Sequence, residues 1–156
     1  MNNIINALNW RYATKSFDSS KKLSDEQLDT ILESMRLTAS SYGLQPWKFV
    51  VVSNPETRTA LRAAAWDQTQ VTDASAFVVL SVRTDVDAAY VDAYMKSIAD
   101  TRGMDVSALT GFADMIKGSI SHKTAEQVVE WSSKQLYIAL GTALTTAAQL
   151  EVDTCP

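Results

Sequence analysis

Two short segments hold the residue types and spacings that could do chemistry. Arg11-Tyr12-Ala13-Thr14-Lys15 sets two cations four residues apart beside a threonine hydroxyl. A guanidinium there could grip an anion through paired N–H groups, with the lysine adding a compact point charge. From spacing alone, a solvated loop is the commoner reading of such a pair. The second segment, Ala39-Ser40-Ser41-Tyr42-Gly43-Leu44-Gln45-Pro46-Trp47, offers small side chains, two hydroxyls and a glycine ahead of an aromatic wall. Residues of these types also make ordinary turns. Together the two surfaces suit a phosphorylated, flat, partly apolar ligand, with an anion site on one side and a stacking shelf on the other.

The remaining candidates carry less. Trp66-Asp67-Gln68-Thr69-Gln70 is a polar stretch at home on any surface, and its amides would also suit a polyol or a heterocycle edge. Phe112 and Met115 share a helical face, for which core packing is the default. His122 stands apart from any candidate metal ligand, and Asp114 and Glu130 make no recognisable acid–base pair. The sequence holds no Gly-x-Ser-x-Gly elbow, Walker loop or dinucleotide-binding glycine fingerprint. Without a side-chain nucleophile to defend, a cofactor would have to supply the chemistry.

The elements that must position these residues are legible in part. Ile4, Ile5 and Leu8 suggest a short amphipathic helix before Arg11. Ser24 and Gln27 spell a capping box, Leu23 and Leu28 a hydrophobic staple, and Leu28, Ile31, Leu32 and Met35 repeat at helical spacing. Phe49-Val50-Val51-Val52 and Phe77-Val78-Val79-Leu80-Ser81-Val82 read as buried strands. Asn54 with Pro55 opens a helix through roughly Ala65. A polar loop from Trp66 to Thr72 follows, and beyond the second strand come helices over roughly 85–101, 106–121 and 124–150. The last has a weakly charged half, 135–150, with small residues that permit close helix approach, and is expected to be buried across a core or a subunit interface. A two-stranded sheet is marginal alone. Glu151 to Pro156 reads as the start of a third strand, so the expectation is a fold incomplete at its C-terminus.

Composition narrows the function classes. The 156 residues suit one domain, 1–156. A hydrophobic content of 46% with 21% charged residues is that of a globular protein in water. The net charge of −4 speaks against a nucleic-acid partner, which needs a basic face. One cysteine excludes an internal disulfide framework and fits a reducing cytoplasm, and with one histidine it makes a zinc site untenable. Met1-Asn2-Asn3 lacks the basic start of a secretory leader, and no stretch reaches the roughly 18–20 apolar residues of a membrane span.

Four segments occur in one order: Arg11 to Asp18, Ser40-Ser41 with Gln45-Pro46-Trp47, Gln68 to Ser75, and Trp131 to Gly141. In that order the chain resembles the FMN-dependent NAD(P)H nitroreductase family, near its oxygen-insensitive nitroreductase and flavin reductase branch, from the first helix to Pro156. The resemblance implies an α+β nitroreductase-like fold, with a central sheet flanked by helices, a long interface helix and the C-terminal part missing. It implies a cytoplasmic homodimer with FMN at the interface. Arg11, Tyr12, Ala13, Thr14 and Lys15 would bind the cofactor from one subunit, and Ala39, Ser40, Ser41 and Gly43 from the other. Asp67 and Gln70 would touch the flavin or its ribityl chain, and Tyr42 and Phe112 would border the substrate cavity. No side chain is implied as catalytic and no metal is implied.

Departures from the family are visible. It often has Ser at Ala13, Pro at Ala39 and Asn at Gly43, and typically continues past the Cys155-Pro156 step into a loop, more strand and a basic segment. The implied activity is transfer of two electrons from NADH or NADPH to a nitroaromatic, a quinone or a flavin, by a ping-pong mechanism. The alternative is a truncated, non-catalytic helical dimerisation module of the same fold.

Overall fold

Ser24 begins its helix as the spacing requires. In the computed structural model, which describes residues 3–156, its hydroxyl accepts the Gln27 N–H at 3.1 Å and Gln27 Oε1 accepts the Ser24 N–H at 3.0 Å. The exchange satisfies two donors that a helix start leaves open. It opens α2 (Asp25–Arg36), which follows α1 (Asn3–Trp10). Met1 and Asn2, part of the expectation of no leader, lie outside the described residues.

Asn54 likewise accepts the Thr57 N–H at 2.7 Å, with Pro55 at the position where a missing N–H costs nothing, and α3 (Pro55–Ala64) results. The loop expected from Trp66 to Thr72 is shorter than it reads, because Gln70–Asp73 winds into one helical turn, α4. The strands are β1 (Trp47–Val51) and β2 (Val78–Val82), which pair with each other. Val52 N–H donates to Phe77 O at 2.8 Å and Arg83 N–H to Pro46 O at 3.0 Å, so the start of one strand meets the end of the other and the pair is antiparallel.

The expectation of buried strands is corrected. Val50 is 40% exposed and Val51 38%, and every residue of β2 is only half-buried. Among the described residues each strand has a single neighbour, which leaves one edge of each unpaired, and the faces are only partly covered by the rest of the chain. The expected third strand after Glu151 reduces to one parallel bridge, Ala13 with Thr154.

Three further helices follow β2. Asp87 caps α5 (Ala88–Arg102) by accepting the Tyr90 N–H at 2.9 Å, three residues later than the pattern suggests, and Gly103 closes it in the left-handed region. The helix expected over 106–121 comes in two pieces, a 3-10 segment (Val106–Leu109) and α6 (Thr110–Ser121), because Leu109 leaves helical geometry. α7 (Ala125–Gln149) spans about 37 Å at 1.5 Å per residue. Thr124 and Gln127 cap it reciprocally, at 2.9 and 3.3 Å.

Within the single chain α7 is not buried all round, so its second half is not enclosed by this chain's own core. Val128, Ser132, Gln135, Ala139, Ala143 and Ala147 are buried and recur every three or four residues, so they form one stripe. Tyr137 and Ile138 lie off that stripe and are 72% and 50% exposed. No helix among the described residues is long and apolar enough to cross a membrane.

The chain divides into two units, and their boundaries run through β1, β2 and α7. The first holds the chain up to Thr38, Phe49–Ser81 and Tyr137–Pro156. Within it Arg58, 9% exposed, donates to Val71 O at 2.7 Å and to Ala74 O at 2.5 Å, tying α3 to α4. The second holds Ala39–Lys48 and Val82–Leu136. Its core is Leu44, Val86, Val91, Met95, Ala113, Ile116, Ile120 and Val128, drawn from the loops before β1 and α5 and from α5, α6 and α7.

Candidate functional site

In the first unit, the Arg11 segment is pinned at its middle rather than solvated throughout. Thr14 N–H donates to Thr154 O at 3.0 Å, and the Thr14 hydroxyl donates to Asp153 Oδ1 at 3.2 Å. Thr14 is 3% exposed, so its side chain is committed to the chain's last residues. Ala13 forms the bridge beside it. On either side the segment stays open, with Tyr12 59% exposed and Lys15 exposed as well. Arg11 Nε is buried and finds no hydrogen-bond partner among the described residues. A buried guanidinium N–H without an acceptor is costly, and an anionic oxygen placed there would relieve it.

Asp67 and Gln70 belong to the same unit. Gln70 opens α4 and is half-buried. Asp67 pairs with Arg62, Nε to Oδ1 at 2.8 Å, and its backbone is left-handed at φ +55°. Trp66 before it is left-handed too, at φ +53°, and stands 91% exposed.

In the second unit, the segment that reads as small and hydroxyl-bearing forms a 3-10 turn, Ser41–Gly43. Ala39 is exposed and Ser40 half-buried ahead of it. Gly43 sits at φ +73°, and a Cβ there would run into the Tyr94 hydroxyl, so both conformation and space ask for glycine. Tyr42 accepts a left-handed φ of +59° and places its hydroxyl 3.3 Å from Ser119 Oγ on α6. Phe112 lies on the same helix two turns earlier, half-buried against the core. The structure thus brings the two expected substrate-cavity residues, Tyr42 and Phe112, to one helix.

Residues that sequence reasoning passed over hold this turn in place. Gln135 Oε1 accepts the Ser41 N–H at 2.9 Å from α7, and the Ser40 hydroxyl oxygen accepts the Gln45 N–H at 2.9 Å. Tyr90 donates its hydroxyl to Leu44 O at 2.7 Å, and Arg83 stacks on its ring at 4.8 Å while pairing with Asp85. Burial pushes the Tyr90 phenol above its ordinary pKa, the Arg83 charge opposing, so the donor keeps its proton. A buried glutamine in a helix of small residues is the one signal that could have pointed to this arrangement, since a buried amide needs partners.

Comparison with known proteins places this arrangement. YfkO of Bacillus subtilis, which carries an NAD(P)H nitroreductase name, is 42% identical over 160 residues, covering 98% of this chain and 72% of the relative. A Staphylococcus epidermidis protein of the same naming is 42% identical over 157 residues, covering 98% of this chain and 71% of the relative. Among solved structures, the nitroreductase YdfN of Bacillus subtilis superposes with a TM-score of 0.86 at 17% identity, over 97% of this chain and 72% of its own. A nitroreductase from Exiguobacterium sibiricum, solved in complex with FMN, gives 0.77 at 21% identity, over 96% and 71%. The structural likenesses show the fold, an α+β nitroreductase-like one. The model of the Nitroreductase family matches residues 8–156, and with it the chain belongs to the Nitroreductase family.

Proposed function

We propose that this chain is an FMN-dependent oxidoreductase that moves two electrons from NADH or NADPH to a nitroaromatic, a quinone or a free flavin. The observation that carries the reading is Arg11 Nε, a buried donor that finds no acceptor among the described residues, in a segment whose neighbours Tyr12 and Lys15 remain open. A cofactor phosphate or an electron-rich flavin edge fits that donor. FMN held by these residues would supply two-electron chemistry, accepting hydride from the nicotinamide and giving electrons to an acceptor that uses the site in turn.

The chain's own part is positioning and electrostatics. Arg11 grips the anion, and Lys15 places a cation where negative charge develops on reduction. Thr14 and Ala13 hold the segment still through Asp153 and Thr154. Ala39, Ser40, Ser41 and Gly43 form the thin-walled turn that a flat ring can approach. Asp67 and Gln70 supply polar contacts, and Tyr42 and Phe112 line the acceptor side.

Residues 1–156 are read as one domain that works as a cytoplasmic homodimer, with the cofactor shared between a phosphate-gripping segment of one copy and the turn of its twin. The exposed Tyr137 and Ile138 on α7 support a helix that meets a second copy. The test is anaerobic. Protein loaded with FMN should lose its flavin absorption on adding NADH or NADPH and regain it on adding a nitroaromatic or a quinone. A colourless dimer that ignores added FMN would replace this reading with a dimerisation module.

A further inference from the structure

Two consecutive non-glycine residues in the left-handed region are uncommon, and each stores backbone strain. Trp66 and Asp67 are such a pair, at φ +53° and +55°. Strain of this kind persists only where the surroundings over-determine it. Here a backbone bond closes the turn, Gln68 N–H to Ala65 O at 3.0 Å, and the Arg62 side chain clasps it from outside. Arg62 Nε donates to Asp67 Oδ1 at 2.8 Å and to Asp67 O at 3.2 Å, while Asp67 N–H returns a bond to Arg62 O at 3.0 Å. Arg62 Nη1 reaches Thr72 Oγ1 at 3.5 Å, so the same guanidinium also ties the turn to α4. Its side chain is 29% exposed against 81% for Asp67, so the cation is the inner, anchored partner and the carboxylate the outer one.

We infer that Arg62 is a positioning residue for the cofactor edge: it locks the Trp66–Asp67 turn and presents a charge-compensated Asp67 carboxylate to the flavin. The inference rests on the FMN reading and deepens it at this one turn. Compensation matters because a bare carboxylate beside a phosphorylated ligand, whose ring gains negative charge on reduction, would repel it. Paired with a guanidinium, the same group still accepts a hydrogen bond from a ring N–H or a ribityl hydroxyl while adding no net charge. Asp67 Oδ1 is committed to Arg62, which leaves the carboxylate's other oxygen to face outward.

The experiment compares the wild-type chain with Arg62→Gln, Arg62→Lys and Asp67→Asn. It reads thermal stability, amide exchange at Asp67 in the cofactor-free protein, and equilibrium FMN binding. Arg62→Gln is expected to speed exchange at the Asp67 N–H and to weaken FMN binding by about tenfold. Arg62→Lys should recover little of this, because an ammonium cannot reproduce the fork. Asp67→Asn, which keeps an acceptor but gives up the ion pair with Arg62, should also weaken FMN binding, by less than Arg62→Gln. The inference is overturned if Arg62→Gln melts lower yet binds FMN unchanged, since the clasp would then serve folding alone. It is also overturned if exchange at Asp67 is unaltered. Failure of the wild-type chain to bind FMN would instead remove the functional reading beneath it, a different and visible outcome.

Discussion

Gln135 and Ser41 are joined across 94 residues of sequence by one hydrogen bond, from the Ser41 backbone N–H to the Gln135 side-chain oxygen at 2.9 Å. The glutamine is 7% exposed on the buried stripe of α7. A helix side chain therefore satisfies the backbone of the turn proposed to approach the flavin. Replacing Gln135 with Leu removes the acceptor and strands that N–H, at a cost of about 1–3 kcal/mol. The midpoint of denaturant unfolding should fall accordingly, and Gln135→Glu, which keeps an acceptor, should fall less.

Gly43 is held to glycine by its φ of +73° and by the Tyr94 hydroxyl. Gly43→Ala is expected to destabilise by at least about 1 kcal/mol from the backbone alone, with the collision added. Thermal melts of Gly43→Ala with and without Tyr94→Phe separate the two contributions. The second substitution should restore only the part owed to the clash.

Tyr90 gives the turn an alkaline limit. Its phenol pKa is raised by burial above the ordinary value of 10.0, and only the protonated form can donate to Leu44 O. A group whose pKa is higher folded than unfolded lends stability that is complete below the unfolded value and lost as pH climbs through the folded one. Stability should therefore hold to about pH 10 and decline above it. Tyr90→Phe should abolish that particular decline while costing about 1 kcal/mol at neutral pH. Unfolding measured from pH 7 to 11 in both proteins checks the sign.

Thr14 ties the Arg11 segment to the chain's last residues through Asp153 and Thr154. Thr14→Val keeps the shape and drops the side-chain bond, for a loss near 1 kcal/mol. Hydrogen exchange should quicken at Thr14, whose N–H donates to Thr154 O, and stay unchanged at Gln27 in α2. Equal protection in both proteins would show that the side-chain bond adds nothing to the tether.

Much of the fold was legible because local rules wrote it. The Ser24–Gln27 box and the Asn54-Pro55 start appear in the structure as the spacing required, since caps are decided by neighbours three residues apart. β1 and β2 were placed within two residues, but their burial was misjudged. A run of valines reports affinity for an apolar neighbour, not whether the described chain supplies one. The strain at Trp66 and Asp67 was invisible, because Trp does not announce a left-handed backbone, Asp does so only weakly, and the clasp from Arg62 works at five residues' distance. For the candidate site, the Arg11 segment and the Ser41 turn were recognisable by their small and cationic residues. Their supports were not, because Gln135, Tyr90 and Asp153 act from remote positions that no spacing rule connects.

FMN titration of the wild-type chain beside Arg11→Ala and Lys15→Ala, followed by flavin fluorescence at equilibrium, reads whether the two cations of this segment hold the cofactor. Saturable binding by the wild type is expected, weakened about tenfold or more by each substitution while the folded state survives. Binding of equal strength in all three proteins would contradict it.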